Sequence, residues 1–365
     1  MKRSITLMSM ILVVIVVSAG ILTGCSPSSP TAPATTGNNA TPVADVTPTA
    51  STAPQKVYEI KFTDQFTPVM EDAKINEELG RLIEEHTGGQ VKFTYYHASA
   101  LGKTSDFLNL LNGGVADAIH IICGWFPQNF AFFMGLEIPQ VGFKDRSSRL
   151  EADWMLFEAG YLKEFDGYKV LAFNATPAMN IYMTQNIPTA ADLRGKKIRA
   201  SNATVRTWLE NLGAAPNAMP PADLYMAMDR GTIDGVFTAY SNYMQQKYFE
   251  VCKYAIWNPM SIGSSPILMS KTVWDSLPAD VQAGIDEAIE AYRNYYVDYY
   301  TSVDSKAVDS LKSSGANVYS FEGDDAAKLT EAAAPLKEEW VKQMEAKGLP
   351  AKEMFDEVAK MLAAK

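Results

Sequence analysis

The run from Tyr58 to Tyr95, YEIKFTDQFTPVMEDAKINEELGRLIEEHTGGQVKFTY, decides the fold. Tyr58–Phe62 alternates apolar and polar residues in the manner of a strand. Glu71–His86 then carries Ile75, Leu79, Leu82 and Ile83 at helical spacing and stops at Gly88-Gly89, a C-terminal stop signal. Val91–Tyr95 alternates again. Strand, helix and strand in this order form a βαβ unit, and such units build a parallel sheet covered by helices on both faces.

The same rhythm continues along the chain. Ser105–Asn112 reads as a short helix, Ala116–Ile122 as a strand, Arg146–Ala159 as a helix and Lys169–Phe173 as a strand. A second set follows, with strands at Ile181–Thr184, Lys197–Ala200, Ile233–Thr238 and Pro266–Met269. Its helices are Ala203–Leu212, Ala222–Asp229 and Asn242–Phe249. One long helix is expected from about Ala279 to about Ser313, carrying Tyr292, Tyr295, Tyr296, Tyr299 and Tyr300. A helix of that length usually spans more than one lobe. Residues 324–365 read as two amphipathic helices broken at Gly348-Leu349-Pro350. Two α/β lobes leave a crevice at the carboxyl ends of their strands, where open α/β folds bind ligands.

Before Val57 the chain has a different character. Met1-Lys2-Arg3 is followed by the apolar run Ile11–Val17 and by Leu22-Thr23-Gly24-Cys25. A basic start, an apolar middle and small residues at the end predict a secretory signal peptide over 1–24. Leu22–Cys25 is similar to a bacterial lipobox, which would make Cys25 the diacylated first residue of the mature protein. Two acyl chains suffice for stable anchoring. Residues 26–56 are almost all Ser, Thr, Pro, Ala, Gly, Asn and Val, so 25–56 is expected to be a lipidated cysteine plus a disordered tether. This places the protein outside the cytoplasm, touching the membrane only through its lipid.

Of the 365 residues 47% are hydrophobic and 20% charged, which excludes a disordered or multi-span chain. The net charge is −10, with no basic tract, so nucleic acid and anionic lipid are not expected partners. Gly102-Lys103-Thr104 resembles the end of a phosphate-binding loop, but His97 stands where its first glycine belongs. The three histidines, His86, His97 and His120, form no zinc-binding pair, and there is no G-x-S-x-G turn. No carboxylate pair stands out. We therefore expect no enzyme, no cofactor and no metal. Cys123 and Cys252 are expected to be separate buried thiols.

Four stretches carry a resemblance. Ser99-Ala100-Leu101-Gly102 with Leu110–Asp117 is the first. The second is Pro188–Arg199, PTAADLRGKKIR, and the third Ala222–Gly235, ADLYMAMDRGTIDG. The fourth is Trp274–Gln282, WDSLPADVQ. In this order they resemble the solute-binding proteins of tripartite ATP-independent periplasmic (TRAP) transporters, the DctP family. The resemblance covers roughly 57–320 and implies the two-lobe type II fold of periplasmic binding proteins. Its lobes would comprise 57–176 with 265–304, and 177–264 with 305–365, with the long helix packed across both. It also implies that an organic acid is trapped by lobe closure and delivered to a membrane permease driven by an ion gradient. A binding protein of an ATP-driven importer and a ligand-sensing subunit of a membrane signalling system are the alternatives.

By this resemblance Arg199 pairs with the ligand carboxylate, for which a planar guanidinium offers two parallel hydrogen bonds. Relatives often carry a second arginine where this chain has Met179-Asn180, and an asparagine where it has Thr238. One cation suits one carboxylate. Trp125, Phe126, Phe237, Tyr240 and Trp257 are expected to enclose an apolar or aromatic remainder. Phe66 and Thr67, after the first strand, occupy an equivalent carboxyl-end loop.

Overall fold

A computed structural model describes residues 56–200 and 202–364. The expected leader, the expected lipidation site at Cys25 and nearly all of the expected tether lie outside the described residues.

Eleven strands and eleven α-helices are formed among them. The chain runs β1 (Tyr58–Thr63), α1 (Glu71–His86), β2 (Val91–Tyr96), α2 (Phe107–Asn112), β3 (Ala118–His120), α3 (Arg146–Glu158) and β4 (Tyr168–Ala172). It continues with β5 (Met179–Met183), β6 (Lys197–Arg199), α4 (Ala203–Asn211), β7 (Ala215–Asn217), α5 (Pro221–Asp229), β8 (Gly235–Ala239) and α6 (Tyr240–Gln245). The last part is β9 (Tyr254–Ser261), β10 (Ile267–Ser270), α7 (Lys271–Ser276), α8 (Ala279–Ser305), α9 (Ala307–Ser313), β11 (Asn317–Tyr319), α10 (Gly323–Glu345) and α11 (Ala351–Ala363).

The strands form two sheets, one per lobe, ordered β2-β1-β3-β10-β4 and β11-β9-β5-β8-β6-β7. β1 is parallel to β2 and β3, and β6 is parallel to β7 and β8. The expected all-parallel pattern fails at two strands. β10 is antiparallel to β3 and β4, and β5 is antiparallel to β8 and β9. The reason is the crossing itself. Each of these strands enters its sheet from the other lobe, at the edge where the resident strands end, so it runs against them.

The two crossings lie side by side. The Thr176 amide donates to the Gly263 carbonyl (2.9 Å) and the Ser265 amide to the Asn174 carbonyl (2.7 Å). Tyr296 of α8 grips the first crossing, accepting from the Ala175 amide (2.9 Å) and donating to the Ala175 carbonyl (2.8 Å). Beside it the Tyr292 hydroxyl donates to Asn174 Oδ1 (2.9 Å).

The long helix departs from expectation. α8 stops at Ser305, and α9 begins after Lys306. The buried apolar and tyrosine positions of α8 from Val281 to Tyr300 join the first lobe's core, whereas Leu311 of α9 joins the second lobe's. The interruption therefore coincides with the passage between cores. α8 lies close on α1 because residue 284 is glycine; a Cβ there would stand 2.7 Å from the His86 carbonyl oxygen. The last helix also departs. Residues 305–365 were expected in the second lobe, but Met354, Phe355 and Val358 of α11 are buried in the first. α10 carries the chain back: its Leu329 and Ala332 sit in the second core and its Met344 in the first. At 1.5 Å per residue its 23 residues reach roughly 35 Å, enough to cross between lobes.

Cys123 and Cys252 are free and buried in different cores, so they form no disulfide. Among the described residues no helix is long and apolar enough to cross a membrane.

Candidate functional site

The crevice between the lobes is bounded by the ends of β3 and β1 on one side and of β8 and β6 on the other. Successive side chains of a strand point to opposite faces. Ile198 is buried in one core of the second lobe, so Arg199 points to the other face, as does its neighbour Val236. Thr238 lies two residues on from Val236, and Asn180 is paired with it. Register therefore brings Arg199, Thr238 and Asn180 to one face at the crevice edge.

Arg199 is half-buried, and its Nε has only a long contact to the Met219 carbonyl (3.4 Å). Desolvation lowers its pKa from the usual arginine value. Among the described residues no carboxylate lies within ion-pair distance of it. A partly dehydrated cation without a counter-ion has the chemistry to pair with an anion.

The other expected contacts divide. Asn180 is fully buried and donates to the Ala178 carbonyl (3.2 Å), so it lies beneath the surface rather than on it. Thr238 is nearly so. Phe237 is a correction: strand alternation turns it away from Arg199, and it packs edge-on against Trp208 in the core. Met179 is half-buried and packs on that same side. Phe126 is a second correction, because the turn after β3 folds it into the first core. The same turn leaves Trp125 49% exposed. Phe66 is half-buried edge-on to His120 (5.1 Å), and Thr67 is exposed.

Tyr240 and Trp257 do meet, with ring centroids 6.4 Å apart and planes at 81°. They line a hollow of about 300 Å³ with Arg146, Pro177, Ala178 and Asp304. That hollow lies beside the end of α8, and Arg199 is not part of its wall.

Sequence reasoning missed a buried polar network under the first lobe's crevice edge. Asp64 Oδ2 accepts from Asn76 Nδ2 (2.8 Å) and lies 2.9 Å from His97 Nδ1, while Oδ1 accepts from the Phe66 amide (3.0 Å). His97 Nε2 is 3.2 Å from Glu77 Oε1, and His120 Nδ1 is 2.9 Å from Asn76 Oδ1. The next loop hangs on this frame: Ala98 and Ser99 take positive φ (54° and 60°), held by bonds to the Phe66 and Asp64 carbonyls. Two adjacent left-handed non-glycine residues are costly and persist only where neighbours enforce them. The network thus positions the loops carrying Phe66, Thr67 and Leu101. The one available signal was that Asp64 and His97 each follow a strand.

Burial lowers the His120 pKa to about 3 and, in the α3 pair Arg149–Asp153, raises that of Asp153 to about 6 against the pull of Arg149. The signs oppose. The neutral His120 contributes stability above its usual 6.5 that is lost as pH falls toward 3. Asp153 contributes stability below 3.8 that is lost as pH rises through about 6. In urea unfolding, H120Q should therefore lose less stability than wild type from pH 6.5 to 4.5. The difference should approach about 1.4 kcal/mol per pH unit, the value of one proton. Parallel pH profiles would contradict this.

Two mixed sheets joined by paired crossings, with a helix pair and a further helix bridging them, define a two-lobe binding protein of type II. Residues 64–343 match the bacterial extracellular solute-binding proteins of family 7, DctP, and the chain belongs to that family as a TRAP transporter solute-binding protein. It is 26% identical over 302 residues to the C4-dicarboxylate-binding periplasmic protein DctP of Rhodobacter capsulatus, covering 80% of this chain and 89% of that protein. A TRAP periplasmic solute-binding protein from Desulfovibrio salexigens superposes with a TM-score of 0.78 at 23% identity, covering 83% of this chain and 95% of that one. One from Rhodoferax ferrireducens, in complex with copurified benzoate, gives 0.72 at 22% identity, covering 84% and 98%. The family and the fold are those of transport proteins rather than enzymes.

Proposed function

We propose that this protein captures a small organic acid between its lobes and hands it to an ion-gradient-driven TRAP permease. The observation that carries the reading is Arg199, a half-buried guanidinium at the crevice edge with no carboxylate partner among the described residues. Closing the lobes around an acid would remove water from that pair and strengthen it. The benzoate found with the Rhodoferax ferrireducens protein and the dicarboxylate in the name of the Rhodobacter capsulatus protein support an acid as cargo.

The finer reading is a monocarboxylate with an apolar or ring-bearing tail. Met179 and Thr238 supply no second cation, and Trp125 offers an exposed ring. The acyl chains on Cys25 and the tether of 25–56 would keep the protein beside the membrane, outside the cytoplasm, within reach of the permease.

The test is to purify the protein from its host without refolding, denature it and identify the released small molecule by mass spectrometry. A stoichiometric carboxylic acid is expected. A neutral sugar or an amine without a carboxylate would contradict the reading.

A further inference from the structure

A second charged group stands where the crossings enter the crevice. Glu137 ends a short 3₁₀ turn (Phe133–Glu137) and is half-buried. Its carbonyl accepts from the Ser261 hydroxyl (2.8 Å) and its Oε1 from the Ser264 amide (3.2 Å). Gly263 admits the carboxylate, since a Cβ there would lie 3.4 Å from Oε1 and 3.1 Å from Thr176 Oγ1. Oε2 faces the turn after β3, with a Cβ on Gly124 only 3.9 Å away. Gly124 is exposed and precedes Trp125, so this oxygen borders the open crevice.

Burial raises the Glu137 pKa, and the charge of Arg149 offsets only part of that. The nearby guanidinium of Arg149 is fully buried and donates to Asp153, to the Leu136 carbonyl and to the Ile262 carbonyl. Among the described residues Glu137 makes no ion pair. The crevice therefore has a cation at one wall, Arg199, and an anion at its floor beside the crossings.

We propose that Glu137 is a specificity-determining residue of the acid-binding crevice. It disfavours a ligand with a second anionic group and favours one whose far end presents an N–H donor, most strongly an ammonium. This rests on the acid-binding reading above. Discrimination of this kind comes as much from repulsion of the wrong ligand as from attraction of the right one.

The test is calorimetric, at pH 8, with two matched sets: benzoate, 4-(aminomethyl)benzoate and terephthalate, and pentanoate, 5-aminopentanoate and adipate. In the set that binds, wild type should prefer the amino acid to the dicarboxylate by at least about tenfold, as expected for opposite against like charge a few ångströms away. E137Q should reduce that ratio by about tenfold. E137D, which keeps the charge, should retain most of it. A wild type that prefers the dicarboxylate, or a ratio unchanged in E137Q while R199A still abolishes binding, overturns the role of Glu137 alone. Should no acid of either set bind, or should R199A bind them as wild type does, the acid-binding reading falls and this inference with it. If E137Q does not fold, the wild-type ratio decides, and a wild type without preference for the amino acid over the dicarboxylate overturns the proposal.

Discussion

Arg199→Ala should weaken binding of the cargo acid by about 2–5 kcal/mol, the range for truncating one member of a buried, hydrogen-bonded charge pair. The loss should fall on the off-rate, because the pair is sealed from solvent once the lobes close. Unfolding should be little changed. Arg199 is half-buried at the end of β6, makes one long contact to the Met219 carbonyl and holds no ion pair among the described residues. Arg199→Lys should recover only part of the loss, since an ammonium keeps the charge but cannot match a carboxylate with two parallel bonds. Unchanged calorimetric affinity in R199A would remove Arg199 from the site.

Arg149→Met should cost about 3–5 kcal/mol of folding stability, for a different reason. Arg149 is fully buried. Its Nε donates to Asp153 Oδ1 (2.8 Å), and its Nη1 donates to the Leu136 carbonyl (3.0 Å) and the Ile262 carbonyl (2.7 Å). The guanidinium also lies over the rings of Phe133 and Phe143. Methionine fills similar volume but leaves a buried carboxylate and two carbonyls without donors. The companion variant R149M/D153L should regain part of the loss, because removing both charges is cheaper than leaving one. Denaturant unfolding measures both. A loss below about 1 kcal/mol in R149M would show that the pair does not hold the first lobe to the crossing at Ile262.

How much of this was legible in the sequence varies element by element. Tyr58–Tyr95 was clear because its periodicity switches from two to helical and back, with glycines marking the helix end. β9 was not, because Asn258-Pro259 reads as a turn; the strand accommodates them through a register shift against β5 between Met179 and Ile181. The end of α8 was hidden for the opposite reason. Ser305-Lys306-Ala307 contains no helix breaker, and the interruption falls where the chain leaves one core for the other. On β8 all five residues are buried, so no alternation announced which of Phe237 and Thr238 faces Arg199. Arg199 itself was found through the resemblance of PTAADLRGKKIR. Glu137 was invisible, because its setting is assembled from residues 124, 176, 263 and 264, which meet only in the folded chain.

The most direct measurement is a crystal structure of the protein loaded with the acid it retains from its host. The account predicts the carboxylate between the lobes, both its oxygens within hydrogen-bond distance of the Arg199 guanidinium. An acid seated in the hollow between Arg146 and Trp257, or a closed complex with Arg199 turned to solvent, would contradict it.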